Sequence, residues 1–450
     1  MTTKMKTMIR TIALPMRALL LCVTLNAASA AAEGESVLQQ EWDIKFQATS
    51  VFQRKPAFQA DYSGPNSLVT LREQSHSTTA TVFAGIRLWP GSEIFFNPEM
   101  SLGVPFSNLT GLAGFTNGEL AKTSGANPTF YRARLFARQT WDLSNDSETV
   151  ESDQNQLAGK VGRERLVLTA GNVSVLDIFD DNSFSHEPRR QFLNWTIMTH
   201  GAWDYPADAR GYTWGIAAEY IRPEWAIRAG RFIQPRESNG LTLNPRIFQS
   251  YGDAIEIEYG YSLVALSGKL RLLAFSNKAR MASYQAAIDL ARGTGEVPNI
   301  SAVRAPRRKS GFGINLEQSI NKTTGIFARM SHADGKTETY AFTEADDSFS
   351  AGLVVKGAAW SRPADEAGIA LAQNRLSASH REYLRVGGIG VFLGDGNLSY
   401  RPERIMEAYY SMGVTRHLRV SVGAQRIANP GYNAARGPAS FGGLRLHVEF

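Results

Sequence analysis

The sequence predicts an all-β chain: a transmembrane antiparallel β-barrel of about sixteen strands, with long outer loops and one constriction loop folded inward. Three observations carry that prediction. Apolar and polar residues alternate with period two in segments of about ten residues, the length of a tilted membrane strand. No stretch after residue 30 approaches the roughly 18 consecutive apolar residues of a membrane-spanning helix. The chain closes on "LRLHVEF", where Leu444, Leu446, Val448 and Phe450 alternate with Arg445, His447 and Glu449. A mean hydropathy of −0.23, with 40 Gly, fits strands whose every second side chain faces water.

The first thirty residues read as a signal peptide, leaving 31–450 as a single outer-membrane barrel domain. Lys4, Lys6, Arg10 and Arg17 precede the apolar run "ALLLCVTL", and small residues at Ala28 to Ala30 offer a cleavage site, with cleavage after Ala32 as the alternative. Cys22 is the one cysteine and leaves with this segment, so the exported chain has neither disulfide nor thiolate. The formal +6 falls as well. Residues 1–30 hold four cations and no acid, so 44 basic residues remain against 42 acidic, a net +2 that removes the main support for a nucleic-acid partner.

Alternating segments begin near Trp42, Thr79, Glu93, Thr129, Glu164, Tyr212, Glu224, Ala254, Gly268, Gly311, Thr324, Phe349, Glu366, Arg404, Arg416 and Ser440. The connections between them alternate in length, as they must if short turns lie on the periplasmic side and long loops outside. Short ones are "PGS" at Pro90, "RP" at Arg222, "YSL" at Tyr261, "NK" at Asn321, "SRPAD" at Ser361 and "VT" at Val414. Long ones run over 53–77, 101–127, 172–210, 234–252, 277–309, 334–347 and 377–403. The stretch from Ser144, "SNDSETVESDQNQLAGKVGR", breaks the rule, being long and acidic on the periplasmic side.

A soluble sandwich or propeller would also alternate. Two features favour the membrane. Trp42, Phe52, Trp89, Trp141, Tyr220 and Trp225 fall near strand ends, where aromatic girdles sit. The last segment ends on an aromatic residue, which suits a final strand that pairs with the first and leaves no edge in lipid.

Faces follow from cost. In "TFYRARLFARQTW", strict alternation puts Arg132, Arg134 and Arg138 on one face. An Arg on the lipid side at the midplane costs about 2–4 kcal/mol, so three would cost roughly 6–12 kcal/mol, as much as a domain's whole stability. This face is therefore predicted to be the lumen. The same reasoning turns Glu256 and Glu258 of "DAIEIEYGY" inward, together with Arg87, Arg228, Arg271, Glu317 and Glu407, unless a bulge shifts the register. A barrel of about sixteen strands leaves an aqueous channel lined by both charge signs. The alternative is that these side chains pair with one another across a plugged interior.

The third outer loop, 172–210, is too apolar and aromatic for a solvated loop. It is expected to fold inward and bring Asp177, Asp180, Asp181, Arg189 and Arg190 to a constriction, with Trp195, Trp203 and Tyr205 as candidates for stacking on sugar rings. "DIFDDN" matches no EF-hand spacing, and neither metal nor cofactor is implied.

With these segments placed, the chain resembles the carbohydrate-selective porins of Gram-negative outer membranes, the OprB type. The phrases that carry the resemblance are "SVLDIFDDN", "QFLNW", "DARGYTWG", "RAGRF", "FGINLEQ", "EAYYSMGVTRHLRVSVGAQRIANPGYN" and the terminal strand. It implies an integral outer-membrane barrel through which sugars and other small hydrophilic solutes diffuse passively. Its partners would be those solutes, outer-membrane lipid, and the assembly machinery that reads the strand ending at Phe450; it would be a monomer or a homo-trimer. Two rival functions are a channel for small organic anions, suggested by the arginine row, and a barrel hydrolase. The hydrolase lacks a G-x-S-x-G elbow, an H-E-x-x-H motif or a clustered His to support it.

Overall fold

The computed structural model describes residues 39–450, so the readings at Cys22, Ala30 and Ala32 lie outside the described residues. In chain order the strands are β1 Trp42–Lys55, β2 Glu73–Trp89, β3 Ser92–Val104, β4 Thr129–Asp142, β5 Ser147–Val150, β6 Gly159–Gly162, β7 Arg165–Val173, β8 Thr213–Ile221 and β9 Trp225–Ile233. They continue as β10 Tyr251–Leu263, β11 Leu266–Met281, β12 Ala305–Ser319, β13 Thr324–Ala333, β14 Asp347–Lys356, β15 Glu366–Arg375, β16 Glu403–Gly413, β17 Leu418–Ala428 and β18 Ala439–Glu449. All but β5 and β6 form one closed barrel of sixteen antiparallel strands, in which each strand pairs with its sequence neighbours.

Closure follows from the last strand. β18 pairs with β1 from Gln47↔Glu449 to Arg54↔Gly442, and Phe46 and Phe450 exchange both backbone hydrogen bonds, at 3.1 and 2.9 Å. The alternation sorts the faces as lipid requires: Ile227, Ile255, Ile257, Leu272, Ile369 and Val422 point outward and are exposed. Trp42, Trp89 and Trp141, at the periplasmic ends, are exposed by 65%, 58% and 43%, forming a girdle.

Three boundaries stand out as different from the sequence reading. β2 and β12 begin six residues earlier than predicted, because their outer ends, "EQSHST" and "APRRKS", stand where the outward face need not be apolar and the alternation loses its apolar half. The turn predicted at Tyr261 lies further on. Tyr261 to Leu263 remain in β10, and Val264 and Ala265 make the turn with φ of 50° and 61°, positive values that two-residue hairpins need and that normally announce themselves with Asn or Gly.

The irregular periplasmic connection, 143–164, forms the small β5–β6 hairpin, whose tip, 151–158, turns into the barrel mouth. Leu157 is buried against the inward-facing Gly85 and Phe95. Arg138 donates to the Asn155 carbonyl at 2.9 Å, and Gln154 donates to Gln47 at 2.8 Å. An acidic turn too long to be tight is thus a partial cover for the periplasmic mouth.

Candidate functional site

The interior is crossed by the loop 174–212, which fastens to the wall on several sides. Asp180 is fully buried and accepts from Arg329 Nε at 2.9 Å, Asn315 Nδ2 at 2.5 Å, Thr199 Oγ1 at 2.6 Å and the His200 amide at 2.9 Å. Burial would raise its carboxyl, but Arg329 and then His200 outweigh that and hold it well below the usual carboxylate range. The wall also supplies acceptors. Glu256 takes the Asp180 amide at 2.8 Å, Glu317 the Ser183 amide at 2.7 Å, and Glu407 the Leu193 and Asn194 amides at 2.7 and 2.9 Å. From β18, Arg445 donates to the carbonyls of Pro188, Arg190 and Gln191 at 2.5–2.7 Å. Backbone that would otherwise be orphaned inside a barrel is satisfied by charged wall residues.

These contacts decide where the predicted lining residues go. Glu256, Glu407 and Arg271 are on the inward face but sealed, with exposures of 1%, 2% and 0%. They hold the loop and one another and do not meet channel water, which corrects their assignment as lining. Arg228 bridges Glu219, Glu256 and Glu258 at 3.0–3.2 Å, and Arg271 reaches Glu258 at 2.7 Å, Glu317 at 3.4 Å and Asp181 at 3.5 Å. Much of the interior charge is therefore self-paired, as the alternative reading anticipated. Trp203 is buried against the rings of Phe179 and Tyr205, out of reach of a sugar ring in the lumen.

Arg132 is a correction of a different kind. Arg134 pairs with Asn97 and faces inward, whereas Arg132 pairs with Pro98 on the outward face. Between them Ala133 is the extra residue of a β-bulge, so strict alternation fails there. Arg132 lies three residues from the outer end of β4, over the Trp214 ring at 5.0 Å and with Nε 3.4 Å from Asn172 Oδ1. Near the interface the lipid-side cost falls to about 0–1 kcal/mol, so the midplane argument that turned it inward does not apply. Arg134 grips Asp177 through two bonds of 2.6 Å, and Arg138 stands 3.9 Å from Glu93. Arg190 pairs with Glu449 on β18.

One internal space stands between the loops 105–128 and 174–212, a cavity of about 120 Å³. Its polar lining carries both signs. Glu99, on β3, accepts from Thr81 Oγ1 at 2.6 Å, Tyr131 Oη at 2.5 Å and Tyr212 Oη at 3.3 Å. Arg189 lies between Glu119 at 3.0 Å and Glu99 at 3.8 Å. Arg210 covers the Tyr131 ring at 4.3 Å, and Lys122 stands over Trp195 at 5.6 Å and Phe392 at 5.4 Å. Burial pushes the Glu119 carboxyl up to about 7, with Arg189 opposing. It pushes the Lys122 ammonium down to about 7, opposed by Asp204 and Asp208.

Of this cavity the sequence reading names only Arg189, Trp195 and Tyr205. Glu99, Glu119, Lys122, Arg210 and Tyr212 were missed. The signal for two of them was present: the loop 105–128 holds Phe106, Leu109, Leu112, Phe115 and Leu120, all buried, the same apolar content that marked its neighbour as inward-folding.

A closed sixteen-stranded barrel with an apolar outer face, crossed inside by loops around a small space of mixed charge, defines an integral outer-membrane channel for small solutes. The chain belongs to the carbohydrate-selective porin, OprB family, whose model matches residues 68–450. Among solved structures it is similar to OprB of Pseudomonas putida at high pH, with 18% identity over 91% of this chain and 94% of that one, at a TM-score of 0.67. It is also similar in fold to the outer membrane channel DcaP of Acinetobacter baumannii, with 9% identity over 93% of this chain and 100% of that one, at a TM-score of 0.51. No curated protein matches the sequence.

Proposed function

We propose that this outer-membrane channel passes neutral sugars by passive diffusion, and that its selecting constriction is the cavity between the loops 105–128 and 174–212. One observation carries the reading: Arg189, Arg210 and Lys122 line one space together with Glu99, Glu119, Trp195 and Phe342. Sugar hydroxyls accept from guanidinium and donate to carboxylate, so a lining of both signs suits a neutral polyol better than an anion, which the carboxylates would repel. The cavity is smaller than the about 300–1,000 Å³ of tight ligand pockets. That fits brief contact in a conducting path, where binding must be weak enough to release. Arg134 and Asp177 border the same region, because the Arg134 guanidinium lies 5.3 Å from the Tyr212 ring.

The organic-anion reading rested on a row of three arginines. With Arg132 outside the barrel and Arg138 bonded to the periplasmic hairpin, that row is broken. Catalytic turnover is not part of the proposed function. Phe450, joined to Phe46 through the seam, is proposed as the contact with the assembly machinery. Liposome swelling separates the readings. Proteoliposomes should swell faster in an isotonic neutral hexose than in a hexuronate of equal size; faster swelling in the hexuronate would favour the anion channel.

A further inference from the structure

The strands β9 to β12 carry an outward patch at their outer ends that solute passage does not use. Arg231 lies on β9, Tyr251 and Asp253 on β10, Lys278 and Arg280 on β11, and Arg308 on β12. Alternation turns all six away from the lumen, since their chain neighbours Phe232, Gly252, Asn277, Ala279 and Lys309 are buried on the inner side. Arg231 binds Asp253 through bonds of 2.7 and 2.8 Å, and its guanidinium lies 4.1 Å from the centroid of the Tyr251 ring. On the other side, Arg308 Nη2 donates to Tyr251 Oη at 3.1 Å. Lys278 is the cross-strand partner of both Tyr251 and Arg308.

Asp253 neutralises Arg231. Among the described residues no carboxylate lies within 4.0 Å of Lys278, Arg280 or Arg308; the contact of Arg280 is a backbone carbonyl at 3.2 Å. Three uncompensated cations thus stand on two adjacent strands about 5 Å apart. They repel one another unless an anion with several oxygens lies among them. Beside them the wall is dented. A groove of about 620 Å³ reaches Arg231 and Asp253 at its rim and is walled by Ile216, Ala218, Ala229, Ile255 and Ala274, with alanines where a bulkier side chain would fill it.

We propose that this wall binds a phosphorylated lipid of the outer leaflet, its phosphate oxygens held by Lys278, Arg280 and Arg308 and one acyl chain lying in the alanine-lined groove. A basic cluster bordering an apolar trough matches a molecule with an anionic head and a hydrocarbon tail. A second copy of the chain fits poorly. Among the described strand residues the outward acids at this level are Asp253 and Asp347, and each is already engaged, by Arg231 and by His332 at 2.7 Å.

The test is native mass spectrometry of the full-length protein, purified in detergent and titrated with diphosphoryl lipid A, with dilauroyl phosphatidylcholine, or with lipid A plus millimolar inorganic phosphate. One lipid A should bind at a concentration about ten-fold or more below that needed for the zwitterionic lipid, as one charge-assisted contact is enough to provide. Lys278→Glu with Arg308→Glu should remove that preference, as should the milder Lys278→Gln with Arg308→Gln. Ala229→Trp should weaken lipid retention with the basic cluster intact. Arg426→Glu, on β17 across the barrel, should change nothing. Equal lipid A retention in the wild type and the charge variants would overturn the proposal. So would displacement of the lipid by inorganic phosphate, or a lipid-free oligomer that the charge variants dissociate.

Discussion

Arg132 and Arg134 stand two residues apart and face different surroundings, one over Trp214 on the outer wall and the other on Asp177 within. Replacing Arg134 by Glu should move the reversal potential in a salt gradient toward cations, and Arg132→Glu should leave it at the wild-type value. Equal shifts in the two variants would mean that the bulge at Ala133 is misplaced. A second expectation follows from the loop pair Glu119 and Lys122, both brought to about 7 by burial. At about pH 6 Glu119 is mostly protonated and Lys122 mostly charged; at about pH 8 Glu119 is mostly ionised and Lys122 mostly neutral. Raising the pH across this window therefore makes the cavity more negative at both residues. Reversal potentials measured at the two pH values should drift toward cations, with a smaller drift in Glu119→Gln; a drift toward anions would contradict the assignment. Which face a residue takes was legible wherever alternation ran unbroken, as at Glu256 and Arg228. It was not legible at Ala133, because the proline at this bulge, Pro98, lies on the neighbouring strand β3 and not beside Ala133 in sequence.

At the scale of elements, all sixteen barrel strands could be read from period two, because lipid on one side and polar interior on the other force it on each of them. The loops had no such constraint. That the third outer loop folds inward could be inferred from its apolar residues, but its fastening points could not. Arg329 and Arg445 bond to loop carbonyls and Glu317 to a loop amide, and one backbone carbonyl or amide looks like another in a sequence. For the same reason Glu407 read as a lining residue when it is a clamp on two amides. The last strand carries its own prediction. The Phe450 ring stacks on His417 at 4.6 Å, and its backbone completes the seam with Phe46. Phe450→Ala should keep the backbone ladder and lose the aromatic contact. Heat-modifiable barrel recovered from outer membranes should fall several-fold at matched expression, while refolding of the purified variant in detergent changes little. Undiminished insertion at every expression level would remove Phe450 from the assembly contact.

For the molecule as a whole, the barrel surrounds a fastened interior, in which wall charges mostly satisfy loop backbone or each other and a small cavity keeps carboxylates and guanidinium groups facing an interior space. Selectivity on this account resides where two outer loops meet; the sequence reading named one of them, 172–210, and passed over the other, 105–128. The most direct test is block of single-channel current by a neutral hexose in planar bilayers, comparing the wild type with the charge-neutral pair Glu119→Gln and Arg189→Gln. Each contact between a sugar hydroxyl and a charged group contributes about 1.5–3 kcal/mol, so loss of even one should weaken block about ten-fold or more while the open-channel conductance stays near the wild-type value. Block of wild-type strength in a variant that inserts and conducts normally would place the sugar path elsewhere in the barrel.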